Sequence, residues 1–397
     1  MSDFLLLYTT SISGLLVIYH HLGYPLILRW VRKHSTALVI QWHNRYYTPG
    51  IDDIELPTIT IVIPAYDEQQ WVAEKIRNLA ILDYPSNRLK IIFGCDGCTD
   101  DTAAIAIKTA RETECHHLEI EVRKFPQNRG KVAVINDLVQ SAGSELIALS
   151  DVSSLVSVDA LLIAAAHFNN ANIGVVNGQY RLLNPGTNGE KIYWQYQGHI
   201  KASEAALGST LGAHGAFYLF RRSLFSPLAP DTINDDFILP MKIVEAGYRA
   251  EYESRIQLLE LEQADDKIDH QRRRRIAAGN CQQLLRLKKM MLPRYGRIAF
   301  AFTSGKGLRV LMPYLMITTF FGSAILAGNY ILFAILASLQ SLAYLLAGWQ
   351  ILLRPKRSPR LMRVLAYLVS GHAAGLVGSI RYLIGLERGR WKPVRPI

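Results

Sequence analysis

Four short polar segments each follow an apolar run in the first half of the chain. They are Pro64-Ala65-Tyr66-Asp67-Glu68, Cys95-Asp96-Gly97-Cys98-Thr99-Asp100-Asp101-Thr102, Asn128-Arg129-Gly130-Lys131 and Ser150-Asp151-Val152-Ser153. Any one alone is ordinary turn and capping chemistry, because Asp, Gly and Ser favour turns and helix starts. As a set they offer more. A carboxylate at Asp96 can accept hydrogen bonds from a uracil imide and from ribose hydroxyls. Lys131 can meet a phosphate as a point charge. Asp151 is a hard oxygen ligand suited to Mg2+ or Mn2+, which would bridge diphosphate oxygens and stabilise the negative charge of a departing diphosphate. That combination suits a nucleotide sugar.

The elements around these segments say why the four can meet. Thr58 to Ile63 is a β-branched run ended by Pro64 and reads as a buried strand. Glu68 to Leu82 has helical spacing, with Val72, Ile76, Leu79 and Ala80 on one face. Leu89 to Phe93, Leu118 to Val122 and Leu146 to Leu149 read as further strands. A helix capped by Asp100 or Asp101 runs through Ala110, and another covers Lys131 to Ala142. Strands alternating with helices predict an α/β domain with a parallel sheet covered on both faces. Such sheets bind ligands beyond the carboxyl ends of their strands, which is where all four segments fall.

The chain has 397 residues, half of them apolar, and a net charge of +11 from 44 basic and 33 acidic residues. The apolar excess sits at the two ends. Phe4 to about Leu28 is long enough to span a bilayer and lacks the basic leader and small-residue cleavage site of a signal peptide. Leu308 to Ala327 and Tyr330 to Leu353 predict a tight membrane hairpin broken at Gly328-Asn329, and residues 361–386 a third, weaker segment carrying His372, Arg381 and several glycines. The expected organisation is a membrane helix in 1–33, a connector in 34–56, the catalytic domain in 57–283, an amphipathic interface helix in 284–306, and membrane helices with a basic tail in 307–397. The basic clusters lie beside the apolar spans: Arg29, Arg32 and Lys33 at one end, Arg354, Lys356, Arg357, Arg360 and Arg363 at the other. That placement points to a cytoplasmic membrane face and to lipid headgroups rather than nucleic acid. A full span at 361–386 would put Arg388 to Arg395 outside, so the expectation is a re-entrant or interfacial segment there.

Four cysteines are present. Cys95 and Cys98 have the spacing of a redox or metal motif, with Cys115-His116-His117 as the nearest further ligands. The reading adopted is reduced thiols. His20 and His21, inside the first apolar segment, are expected on a protein-packed or interfacial face rather than as metal ligands.

The four segments resemble family 2 glycosyltransferases, inverting enzymes with a GT-A fold. The similarity continues through Gly212-Ala-His-Gly-Ala216, Asn234-Asp-Asp-Phe-Ile-Leu-Pro240, Gly247-Tyr-Arg249 and Arg272 to Asn280, and so covers nearly the whole chain. The membrane-bound branch of that family includes cellulose, chitin, hyaluronan and poly-N-acetylglucosamine synthases. The resemblance implies a Rossmann-like, mostly parallel catalytic sheet with transmembrane helices at both ends. It implies donor contacts at Pro64, Tyr66, Glu68, Asp96, Lys131 and Asp151, and metal binding at Asp151 and Ser153. Acceptor or diphosphate contacts fall at His214, Gly215, Arg272 and Arg275, and catalysis at Asp236 beside Asp235. An inverting transfer needs one carboxylate to take the acceptor hydroxyl's proton, and adjoining acids raise one another's pKa. The plainer role for Asp236 is an N-terminal cap on the run Phe237 to Ala246.

Three positions depart from the family pattern. Cys95 stands where a second acid often precedes the uridine-binding aspartate. Ser153 replaces the second metal-motif acid. Arg275-Ile276 stands where processive synthases carry Arg-Trp, with Arg272 in place of the paired Gln, and Gln271 with Arg274 is a shifted alternative. A tryptophan there would stack on the acceptor sugar. The expected partners are a nucleotide-sugar donor, a glycan or lipid-linked acceptor and membrane lipids, with partner subunits open. The readings left standing are a processive polysaccharide synthase, a single-sugar transferase, and an inactive relative acting as a membrane scaffold or glycan-binding subunit.

Overall fold

The computed structural model describes residues 2–35, 40–184, 188–262, 266–353 and 358–387. The chain forms two compact units. One comprises residues 1–30 and 269–387, the other residues 31–268.

The second unit is built on one eight-stranded sheet. Its strands are β1 (Ile59–Ala65), β2 (Leu89–Asp96), β3 (Glu119–Phe125), β4 (Leu146–Ser150), β5 (Ser154–Val156), β6 (Ile173–Leu182), β7 (Phe217–Arg221) and β8 (Arg249–Glu260), in the order β3-β2-β1-β4-β7-β6-β8-β5. The half that carries the four polar segments is parallel: Ile59 lies opposite both Leu89 and Leu146, and Lys90 opposite Glu119. β7 runs antiparallel to β4 and β6, and β5 antiparallel to β8. Every residue of β1 is buried, as expected of a central strand covered on both faces. The covering helices include Val72–Ala80, Thr102–Thr109, Lys131–Ser141, Ala160–Phe168 and Asp235–Glu245. The first of these buries Val72, Ile76 and Leu79, the face read from the sequence, and with them Lys75. The connector is not a loose linker: Arg45 grips Asp53 through Nε and NH2 at 2.7 and 2.6 Å and reaches Asp83 at 2.9 Å, a two-pronged charge-assisted contact.

The other unit is helical. Four of its helices are long and apolar enough to cross a membrane: Asp3–His34, Arg297–Leu326, Ile331–Leu353 and Arg360–Leu383. One difference from expectation follows. Residues 284–306 are not one amphipathic helix. The helix Asp266–Arg286 ends, two short 3-10 turns follow, and Arg297–Ala301 then leads through a π-helical segment, Phe302–Gly307, into Leu308–Leu326. Pro293 opens the second of those turns, and Gly296, with φ of +54°, separates it from Arg297–Ala301. Residues 360–383 form one continuous helix with no re-entrant break, a form that an interfacial segment shares. Its Gly378 lies against Ala277 and the Arg274 carbonyl, where any side chain would collide, so this glycine serves close helix packing. The basic tail from Arg388, together with Arg354, Lys356 and Arg357, lies outside the described residues.

The first span also contains a π-helical turn, Tyr19–Gly23. It faces the one at 302–307. The Tyr19 hydroxyl lies 2.8 Å from Ser304 Oγ, and His20 Nδ1 donates to the Ser304 carbonyl at 2.9 Å. His21 Nδ1 donates to the Val17 carbonyl, and its Nε2 meets His372 Nε2 at 3.1 Å. Both histidines thus face protein, as the sequence suggested.

Candidate active site

Asp96 closes β2 and is fully buried. Its Oδ2 accepts the backbone N–H groups of Arg129 (3.0 Å) and Gly130 (2.7 Å), tying the second polar segment to the third. Gly97 makes that approach possible: with φ of +64°, a Cβ there would run into the backbone of Gln127 and Asn128. Asp96 Oδ1 accepts no hydrogen bond among the described residues and has the Arg129 guanidinium 3.8 Å away. A buried acceptor left open is costly unless a ligand uses it.

The first segment is braced against the second. The Glu68 N–H donates to Thr102 Oγ1 at 2.7 Å, and Asp67 Oδ1 accepts the Thr99 N–H at 2.7 Å. Asp100 accepts the N–H groups of Thr102 and Gln69. Pro64 is buried within β1, while Tyr66 and Glu68 are half-buried just beyond it. All four cysteines are free thiols. Cys98 lies near the Asp67 and Asp100 carboxylates rather than Cys115, and those carboxylates already serve the loop.

Lys131 begins its helix and points at the acids. Its Nζ lies 2.8 Å from Asp151 Oδ1 and 3.6 Å from Asp235 Oδ2. Burial alone would lower the pKa of this ammonium; Asp151, Asp235 and Asp236 reverse the effect and raise it. Asp151 follows β4 and is held by its backbone N–H on the Ala216 carbonyl. Ser153 is buried two residues on, and its carbonyl accepts the Leu261 N–H. Asp235 is buried and Asp236 half-buried in the first turn of Asp235–Glu245. The cap position of that helix is Asn234, and Asp236 stands two residues inside it, in the first turn. Burial, then the neighbouring Asp235 charge, push the Asp236 carboxyl up to about 6, with Lys131 and Lys201 pulling the other way.

Gly215 brings the acids to a common point. A Cβ at this residue would sit 3.3 Å from Asp151 Oδ2 and 3.5 Å from Asp236 Oδ2. The bare glycine leaves that space to a ligand. The loop is fixed on both sides: the Ala213 N–H donates to the Asp236 carbonyl at 2.9 Å, and Lys201 Nζ donates to the Gly212 carbonyl at 3.0 Å. His214 accepts the Ala216 N–H on Nδ1. The donor set at this point, carboxylate oxygens converging on a cleft, suits a hard divalent cation.

Lys75 and Lys201 were missed by sequence reasoning. Lys75 is fully buried and donates to Ser150 Oγ (2.7 Å) and the Ser154 carbonyl, directly beneath Asp151. Desolvation pushes its pKa down to about 7, against the attraction of Asp151 and Glu260. Its signal was a lysine on the apolar face of its helix. Arg272 and Arg275 lie on the helix Asp266–Arg286, within the other unit; the cluster at Asp96, Lys131, Asp151, Gly215 and Asp236 is assembled without them.

This sheet and this placement of acids define a GT-A glycosyltransferase. The family described as "Glycosyltransferase like family 2" matches residues 57–279, more than half of the chain, and the chain belongs to it. Among curated proteins it is similar to the poly-β-1,6-N-acetyl-D-glucosamine synthases of Staphylococcus aureus, 27% identical over 213 residues (52% of this chain, 50% of that protein). The likeness to the Staphylococcus epidermidis synthase is 27% over 220 residues (53% and 52%). The chain spans about half the length of these relatives. Among solved structures it is similar to a mannosyltransferase from Pyrobaculum calidifontis in complex with GDP-Man and Mn2+, with a TM-score of 0.72, 21% identity, and coverage of 96% of this chain and 100% of that one. At that identity the likeness concerns the fold.

Proposed function

We infer that the protein transfers a sugar from a nucleotide-sugar donor, a UDP-sugar, to a glycan or lipid-linked acceptor at the membrane, with inversion at the anomeric carbon, in polysaccharide synthesis. The observation that carries this reading is the convergence of Asp151 and Asp236 on the open point at Gly215, with Lys131 beside them. Asp96 receives the base through its open Oδ1, and Lys131 meets the diphosphate. Asp151 would hold Mg2+ or Mn2+, which supplies charge neutralisation for the diphosphate as it leaves. Asp236 takes the proton of the acceptor hydroxyl; a carboxylate raised to about 6 by burial and its neighbour is a stronger base than an ordinary one and still ionised at neutral pH. Asp235 maintains that rise. The Staphylococcus relatives' names support N-acetylglucosamine as the first donor sugar to test. Four apolar helices and the basic residues beside them support a multi-pass cell-membrane protein with this domain on the cytoplasmic side.

The test is turnover of a panel of UDP- and GDP-sugars by the full chain in detergent, with Mg2+, Mn2+ or chelator. Release of the nucleoside diphosphate that depends on the metal and disappears in Asp236→Asn supports the reading. Absence of turnover with every donor would support the scaffold alternative.

A further inference from the structure

Beside the Gly212–Ala216 loop lies a narrow slot lined by Tyr180, Trp194, Gln197, Lys201, His214 and Tyr252. We propose that Trp194 and its aromatic neighbours form a platform on which a sugar residue of the acceptor stacks. The proposal rests on the reading of sugar transfer above and names what the second substrate presents.

The position comes first. His214 precedes Gly215, and Lys201, which lines the slot, grips the loop at Gly212 while the same loop holds the Asp236 backbone. The slot is therefore one loop away from the general base, where the attacking hydroxyl must arrive. The surface is next. The His214 ring stacks on Tyr180 with centroids 3.8 Å apart and planes 17° from parallel. The Trp194 indole closes on both, 4.5 Å from Tyr180 and 5.2 Å from His214. Tyr180 is buried, whereas Trp194 and Gln197 are partly open to solvent. Buried Tyr180 and half-buried His214 make a floor and the indole its accessible edge. Gly198, on the helix that carries Trp194, packs against Tyr252, since a Cβ there would sit 3.0 Å from the Tyr252 hydroxyl, so Tyr252 forms one wall of the slot.

The chemistry selects the ligand class. A pyranose offers a patch of C–H bonds to an aromatic ring and a rim of hydroxyls to an amide and an ammonium, and rings with polar tips serve such half-apolar ligands. The slot itself holds about 20 Å3, room for a single water. The sugar thus lies across the mouth against Trp194, within reach of Gln197, and does not enter. The tryptophan absent from Ile276 is supplied from a different helix.

The experiment is calorimetric titration of the full chain in detergent with tetrasaccharides of glucose, N-acetylglucosamine and mannose. No nucleotide sugar is present, so the result does not depend on whether transfer is detected. The wild type binds at least one of the three. Trp194→Ala weakens that binding about five- to tenfold, the scale of one aromatic contact, Trp194→Phe stays within about threefold, and Gln197→Ala weakens it as well, all with wild-type melting curves. Binding of none of the three by the wild type overturns the proposal, as does unchanged affinity in Trp194→Ala. If Trp194→Ala does not fold, unchanged affinity in Gln197→Ala overturns it.

Discussion

Gly215→Ala places one methyl group where the two key carboxylates converge. The new Cβ sits 3.3 Å from Asp151 Oδ2, 3.5 Å from Asp236 Oδ2 and 3.7 Å from Asp236 Cβ. Those separations are tight but tolerable for the folded chain. Gly215 does not lie in the left-handed region, so alanine adopts its backbone without strain. The change in the unfolded state alone favours Ala by about 0.4–1 kcal/mol. Stability should therefore move by no more than about 1 kcal/mol. Catalysis should not survive so well. A cation sits about 2.0–2.6 Å from its oxygen ligands, and a methyl at 3.3 Å from the same oxygen excludes it or displaces the reacting sugar by an ångström. Displacement on that scale costs roughly a hundredfold, or about 2.7 kcal/mol of transition-state stabilisation. The assay is kcat/KM for nucleotide-sugar turnover, paired with a thermal melt. Turnover within threefold of wild type at an unchanged melting temperature would refute the argument. Gly212→Ala is the contrast: its φ is +73° and its Cβ would strike the Phe237 ring, so the melt itself should fall.

Asp236→Asn should retain donor affinity and lose transfer; near-normal transfer would displace Asp236 as the base. The pH profile of kcat/KM should fall below about pH 6, because the base must be ionised and burial with Asp235 holds it protonated up to that value; a bound cation moves that limb lower, so the two divalent ions should be compared. Lys75→Met should alter stability with a defined sign. The folded pKa of about 7 lies below the ordinary 10.5, so the unfolded chain binds more protons in that window and wild-type stability rises with pH from about 7 to 10.5. In melts across pH 7–10 the variant should lose that slope, and an identical slope would refute the burial argument. Asp96→Ala should raise the KM for donor at least tenfold and lower stability by about 1–3 kcal/mol, since the Arg129 and Gly130 N–H groups lose their acceptor.

Much of the catalytic domain was legible because its signals are local. β-branched runs ended by Pro, Gly or Asp gave β1, β2, β3 and β4 to within a few residues, and a parallel sheet then required the polar segments to share an edge. The strands β5 to β8 were not read, since their pairing, partly antiparallel, depends on contacts distant in sequence. Lys131 meets Asp151, and Asp96 holds the Arg129-Gly130 backbone just before Lys131. Lys75 and Trp194 stayed hidden for opposite reasons: one is a charge on an apolar face, the other an aromatic residue in a helix with no strand before it. The membrane end was harder. Glycine and histidine within 361–386 lower its apolar character, yet the segment is one continuous helix, and its Gly378 permits packing against the helix of Ala277.

The facing π-helical turns at Tyr19–Gly23 and Phe302–Gly307 carry a consequence for how this protein can vary. Each holds one residue beyond what an α-helix needs, and deleting it would rotate everything beyond by about 100°. Tyr19, His20 and Ser304 would lose one another, and the outer faces of both spans would turn inward. Substitution is cheap along such lipid-facing helices, whereas a one-residue gap or insertion is not. Homologous chains should differ freely in side chains here while keeping the count of residues on either side of each turn.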